Sequence, residues 1–140
     1  MLPQTAEYAL RAVIWLASHP ETSQTKDEMA KAAGVPPRYF YKVLQALGRA
    51  GFVQSQPGPG GGYRLARPAD KISILDVVSV VGPIQRIREC PLGIEDHNPT
   101  LCPLHKELDK AFGQIEAAFA RVTIGQLVGK RSCITSLGQP

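Results

Sequence analysis

Cysteine is scarce in this chain of 140 residues, with three in all. An odd number does not build a disulfide framework, and a chain of this length buries a core without covalent staples. Long apolar runs are absent too, and none approaches the roughly 18 residues of a membrane span. No basic segment followed by an apolar stretch and a small-residue cleavage site opens the chain, so a cytoplasmic protein is expected. There is no internal repeat, and the one low-complexity tract is a glycine cluster around residue 60. Charge of one sign is not dominant: 16 lysines and arginines face 12 acids, a net +4. That mild excess permits nucleic acid as a partner without requiring it. The 44% hydrophobic and 20% charged content is that of a soluble globular domain.

Hydrophobic periodicity organises the rest. Residues 5–18 carry Ala6, Ala9, Leu10, Val13, Ile14 and Ala17 at helical spacing, and His19-Pro20 ends the run. Thr25 opens a second, short helix. With Glu28 it forms a capping box, in which the threonine hydroxyl accepts from the Glu28 amide and the Glu28 side chain reaches back. Met29, Ala30, Ala32 and Ala33 are its apolar residues, and Gly34 supplies a left-handed stop. Pro37 suits the first turn of a third helix running to about Ala50, with Phe40, Val43, Leu44 and Leu47 as its buried stripe. Two helices joined by a tight glycine turn make a helix–turn–helix. Residues 52–55 and 63–66 then read as strands around a Gly-Pro-Gly-Gly-Gly turn at 58–62, a hairpin where a wing would lie.

Ser73 and Asp76 cap another helix, which ends near Gly82-Pro83. Residues 86–103 form a loop with two cysteines, and a long helix spans about 103–122. Its seam is Leu104, Leu108, Ala111, Phe112, Ile115, Phe119 and Val122. So small a domain offers that seam little to bury against, and the same helix of a second subunit is the simplest cover. The fold class expected is mainly α with a β-hairpin wing. Its parts are a winged helix–turn–helix at 1–82, a cysteine-containing sensor loop at 83–103, a dimerisation helix at 104–124 and a C-terminal tail at 125–140.

Two constellations carry chemistry. On the third helix, Arg38, Tyr41, Lys42, Gln45 and Arg49 share a polar side. Arginine and lysine suit phosphate or guanine edges, and glutamine suits adenine. The first turns of such a helix enter the major groove, which puts Arg38 and Tyr41 nearest the bases, Lys42 close behind and Arg49 at the backbone. Thr25 and Tyr39 join this set. In the wing, Gly60 and Gly61 let backbone amides approach phosphate, while Tyr63, Arg64 and Arg67 stand at its base, with the arginines in reach of a minor groove. Each feature alone also fits a solvated helix face or a flexible hairpin; their order along the chain favours DNA. A nucleotide-binding loop is disfavoured, because no Gly-Lys-Ser/Thr follows the glycines.

The second constellation is the loop from Cys90 to His105. It holds Cys90, His97, Cys102 and His105 with Glu95 and Asp96. Thiolate and imidazole bind zinc or an iron–sulfur cluster, and the chemistry does not separate the two. Two unligated cysteines with incidental histidines are the plainer alternative. Cys133 stands apart as a bystander. A cysteine-dependent enzyme would have nucleophile and base here but no orienting group or oxyanion loop, so no enzyme is expected. A winged helix that binds protein rather than DNA is a further alternative.

Three stretches together resemble one family. Glu7-Tyr8-Ala9-Leu10-Arg11-Ala12, Gly58-Pro59-Gly60-Gly61-Gly62-Tyr63, and Cys90 and Cys102 with His105 are similar to the opening helix, wing and sensor loop of IscR/NsrR-type winged helix–turn–helix transcriptional regulators (the Rrf-two superfamily). The resemblance covers nearly the whole chain. It implies a homodimer on pseudopalindromic promoter DNA, acting as a repressor, with a 2Fe–2S cluster sensing redox state, nitric oxide or iron supply. Other members lack a cluster, so a cluster-free or zinc-binding regulator is the alternative. One departure matters: the middle cysteine of three-cysteine members is missing, and Glu95-Asp96-His97 stand there instead. The resemblance then implies ligation by Cys90, Cys102 and His105, with His97 as a local substitute and Glu7 as an acid donated by the partner subunit.

Overall fold

The computed structural model describes residues 2–95 and 100–128, and within them the five expected α-helices and the β-hairpin follow in the expected order, with a sixth, unexpected short helix after them. Helix α1 (Gln4–Ser18) is the central element and packs against α4 and α3. Ala6, Ala9 and Ala12 are fully buried on it, and side chains this small let neighbouring helices come close. Helix α2 (Lys26–Ala33) starts with the capping box: Glu28 N donates to Thr25 Oγ1 at 3.2 Å, and Thr25 N donates to Glu28 Oε2 at 3.0 Å. Gly34 closes it at φ +67°. Arg11 of α1 donates to the Ala33 carbonyl at 3.0 Å, satisfying a carbonyl at that helix end.

Helix α3 (Pro37–Arg49) has proline in its first turn and buries Phe40, Val43, Leu44 and Leu47. Strands β1 (Val53–Gln56) and β2 (Gly62–Leu65) pair antiparallel, with Val53 opposite Leu65 and Gln56 opposite Gly62. Each is shifted by one residue at both ends from its expected bounds, β1 toward the C-terminus and β2 toward the N-terminus. A bridge missed by sequence reading joins the hairpin to the body: Gln24 pairs with Tyr63 on the outer side of β2. After a 3-10 turn (Ala69–Lys71), helix α4 (Ile74–Val81) begins at the Ser73–Asp76 capping box.

Helix α5 (Pro103–Arg121) is the long helix of the seam, and it packs against α4. A short helix, α6 (Ile124–Leu127), then brings the chain back to the winged domain. Thr123 and Gln126 cap it, and Thr123 bridges to Ser73. Ile124 N donates to the Ile72 carbonyl at 2.8 Å, and both side chains are fully buried. The stretch expected to be tail from residue 125 thus contains most of a docked helical turn. Cys133 lies outside the described residues. No helix of the described residues is long and apolar enough to cross a membrane.

Candidate DNA interface and sensor loop

Burial of Phe40, Val43, Leu44 and Leu47 leaves the opposite side of α3 in solvent. Arg38, Tyr41, Lys42, Gln45 and Arg49 are all exposed there. Gln45 Nε2 donates to the Tyr41 hydroxyl at 3.1 Å, and Lys26 Nζ of α2 stands 5.0 Å from the Tyr41 ring centre. These contacts order the face between α2 and the wing. Tyr41, Gln45 and Arg49 border a groove of about 500 Å³ whose far wall is Gln54, Ser55 and Tyr63. The Tyr63 phenol is pushed above its ordinary 10.0, by burial first and then by neighbouring Tyr41. It is therefore a neutral donor at physiological pH. Tyr39, with Arg38 5.7 Å over its ring, lies on another flank of α3, where it and Lys42 border a groove shared with Tyr8, Val80 and Val81. The Thr25 hydroxyl is engaged by the capping box.

Within the wing, Gly58 and Gly60 have φ of +91° and +73°, a conformation glycine adopts at no steric cost. Gly61 is fixed by space instead: a methyl group there would meet the Gln56 and Gly58 carbonyls. Arg64 extends away from the tip. Its Nε donates to Ser23 Oγ at 3.2 Å and its NH2 to the Glu21 carbonyl at 3.0 Å. Arg67 lies over the Phe52 ring at 4.6 Å. Residues 21–24 had no role in the sequence reading, because nothing periodic marks a single bridging residue.

In the loop, Cys90 is buried and Cys102 half-buried. Cys102 is the residue before α5, and its Sγ lies 3.3 Å from His105 Nδ1 on the first turn. A thiol and an imidazole are thus presented together, the donor chemistry a zinc ion or an iron–sulfur centre uses. Among the described residues, no three His, Cys, Asp or Glu side chains are grouped to hold a metal ion. His97 lies outside the described residues, and Glu7 is exposed in the first turn of α1.

The segment leading to Cys90 is tied to α5 by a salt bridge that sequence spacing does not reveal. Arg86 grips Asp109 with two parallel hydrogen bonds, 2.8 Å from Nε and 2.9 Å from NH2, and reaches Glu116 at 3.4 Å. Ile87 N also donates to Asp109, at 2.7 Å. Gly113 makes room, since a Cβ there would come within 3.0 Å of the guanidinium. The Arg86 hydrogen bond, then the Ile87 amide, hold the Asp109 carboxyl down at about 2 from an ordinary 3.8, and Arg86 is raised in turn. A lowered folded-state pKa stabilises the fold above the unfolded value and is lost as pH falls through the folded one. The melting-temperature gap between wild type and Asp109→Asn should therefore be steady from pH 7 to about 4 and close between about 4 and 2. A gap undiminished at pH 2 would contradict the assignment. Beside this tie, a largely apolar cleft of about 950 Å³ lies between α5 (Phe112, Ile115, Phe119), the 83–91 segment and Leu2 and Pro3.

A short capped helix, a glycine turn, an exposed basic helix and a clasped glycine-rich hairpin define a winged helix–turn–helix, a DNA-binding fold. The chain belongs to the Rrf2 family, whose model, described as "Iron-dependent Transcriptional regulator", matches residues 2–130. It is a transcriptional regulator and not an enzyme. It is 35% identical over 138 residues to "Protein aau3" of Rhizobium meliloti (strain 1021), covering 97% of this chain and 90% of that protein. Two solved structures share its fold. "T. potens IscR" superimposes with a TM-score of 0.74 at 22% identity, over 91% of this chain and 85% of the other. CymR, the global cysteine regulator of B. subtilis, gives 0.76 at 23% identity, over 91% and 95%.

Proposed function

We propose that the protein is a homodimeric, sequence-specific repressor that reads pseudopalindromic DNA with α3 and answers a signal received at the 83–103 loop. The observation that carries the DNA reading is the exposed stripe of Arg38, Lys42, Gln45 and Arg49 beside Tyr41, set on a helix whose other side is locked in the core. Arg38 and Tyr41 stand nearest the base edges, Lys42 and Arg49 neutralise phosphate, and Gln45 is steered by its bond to Tyr41. The amides of Gly60 and Gly61 complete the contact set, with Thr25 at the start of α2 and Tyr39 on the neighbouring flank of α3 bordering it rather than lying on the reading face itself. The dimer is supported by α5, which has no buried residue in one chain, and on which Leu104 is 69% and Leu108 41% exposed. A partner helix on that seam would hold two reading helices about 34–36 Å apart for successive major grooves.

For the sensor, Cys90, Cys102 and His105 would hold a 2Fe–2S cluster, with His97 or the partner subunit's Glu7 completing the set. The nearness of the Cys102 thiol and His105 imidazole supports this. When bound, such a group supplies iron chemistry that reacts with oxidants or nitric oxide. This chain's own contribution is mechanical. Arg86 and Ile87 grip Asp109, so the segment before Cys90 and the helix after Cys102 move together. The second reading is a cluster-free or zinc-binding regulator, favoured by the missing middle cysteine and by the absence of a grouped ligand set among the described residues.

One preparation tests both. Purified without oxygen, the protein should be brown or red, contain iron and acid-labile sulfide, and run as a dimer in size-exclusion chromatography with light scattering. It should shift DNA from its own promoter, with affinity that falls as salt rises. A colourless preparation with stoichiometric zinc favours the second reading. Equal affinity with and without the cluster removes the switch, and salt-insensitive or absent binding removes the DNA reading.

A further inference from the structure

We propose that Arg64 is a positioning residue that locks the wing to the body of the domain, and that the wing meets DNA as an uncharged loop. The inference rests on the DNA-binding reading above and assigns it a division of labour. Arg64 is the cation nearest the wing tip, and an exposed arginine there would ordinarily be given a phosphate or a minor groove. Arg64 is instead half-buried and its guanidinium is turned back, spanning Ser23 Oγ at 3.2 Å and the Glu21 carbonyl at 3.0 Å. The Ser23 hydroxyl in turn donates to Gln56 Oε1 at 3.3 Å, so one serine holds both strands of the hairpin.

The backbone repeats the clasp. Tyr63 N donates to the Gln24 carbonyl at 2.7 Å, and Gln24 N to the Tyr63 carbonyl at 3.0 Å. The Gln24 side chain accepts from Trp15 Nε1 at 3.2 Å, which refers the wing to α1. Residues 21–24 thus clasp the outer edge of β2, through the Gln24 bridge and the Glu21 and Ser23 acceptors, and fix the wing relative to the body of the domain. Residues 57–61, the tip itself, are Pro-Gly-Pro-Gly-Gly and carry no charge. The other hairpin cation, Arg67, is spread over Phe52. Counterion release on binding then comes from Arg38, Lys42 and Arg49 of α3 and from Lys26, while the wing contributes shape and backbone amides.

Two properties separate this from a direct contact. A side chain that neutralises a phosphate steepens the plot of log affinity against log salt by about 0.9, and one that only positions a loop leaves the slope alone. A purely structural residue would lower thermal stability without changing which grooves are protected. The full chain would be titrated, from about 50 to 300 mM salt, against a duplex it has enriched from a random-sequence pool. Arg64→Ala should bind about tenfold more weakly, the loss expected for a charged hydrogen bond, with the wild-type slope. Lys42→Ala should lose about 0.9 from the slope. Hydroxyl-radical footprints of Arg64→Ala should lose protection in the minor groove under the wing and keep it in the major groove under α3. Ser23→Ala, which removes the acceptor and no charge, should reproduce that footprint, and Arg64→Lys, with one ammonium in place of the fork, should restore it only in part.

A slope reduced by about 0.9 in Arg64→Ala would overturn the proposal, since the guanidinium would then be on a phosphate. So would an unchanged footprint and affinity. If the wild-type chain enriches no sequence at all, it is the DNA-binding reading that fails, and that outcome is distinct from either of these.

Discussion

Ile124→Ala should destabilise the protein by about 3 kcal/mol, an effect as large as truncating a residue at the centre of the core. Ile124 has no exposed surface, although it begins a helix of only four residues. It sits beside Ile72, to whose carbonyl its amide donates at 2.8 Å, and its cluster includes Leu16, Phe40 and Leu47. Removing three buried side-chain carbons loses transfer free energy and leaves a cavity that rigid helices fill poorly. Equilibrium urea unfolding measures the difference. A loss below about 1 kcal/mol would show that α6 is not a fixed part of the core. A functional consequence should accompany the loss. The Arg86–Asp109 bridge ties one part of α5 to the loop, and the pairing of Ile74 N with the Val122 carbonyl at 2.9 Å ties its end to the winged domain. In the proposed dimer, freeing the second tie would let the reading head swing on α5, so affinity for a two-half-site duplex should fall more than affinity for a single half-site.

Gly62→Ala should abolish most DNA binding while leaving the helices intact. At φ +146° the backbone of Gly62 is in a region essentially confined to glycine. A Cβ would also stand 2.5 Å from the Gln24 carbonyl oxygen and 2.7 Å from its carbon, and neither can move without opening the Gln24–Tyr63 bridge. Strain and collision together come to about 2–4 kcal/mol. A hairpin held at its edge by that bridge and the Arg64 clasp is expected to detach rather than absorb them. Affinity for the enriched duplex should fall by about 30-fold or more, the equivalent of roughly 2 kcal/mol. Far-UV circular dichroism should keep its helical signal, because α1 to α4 also pack on one another, although Val53 of β1 shares their core and Tyr63 and Leu65 of β2 lie against it. Binding at wild-type strength would mean that the wing plays no part in recognition. Its larger neighbour effect makes Gly62 a better probe than Gly34, which also has positive φ but has open space where a Cβ would go.

What is local could be read along the chain. Helix α3 was legible because its four buried residues recur at helical spacing, and its polar side is what that spacing leaves over. The boundaries of α2 and α4 were legible because Thr25–Glu28 and Ser73–Asp76 are caps closed within one turn. Cys102 and His105 could be paired for the same reason, being three residues apart at a helix start. The glycine string announced a wing, since positive φ and close backbone approach both ask for that residue. Tertiary structure alone decided the rest. Arg64 could be read as a cation near DNA, but its partner Ser23 is 41 residues away, and no period links them. Arg86 and Asp109 are 23 residues apart across a loop. A single bridging residue such as Gln24, or a four-residue helix such as α6, is too short to show a repeat. Periodicity reports which face of an element is apolar; which distant group a polar side chain meets is set only when the chain closes on itself. The helix–turn–helix was therefore in the sequence, while the attitude of its wing and the tethering of α5 were in the fold.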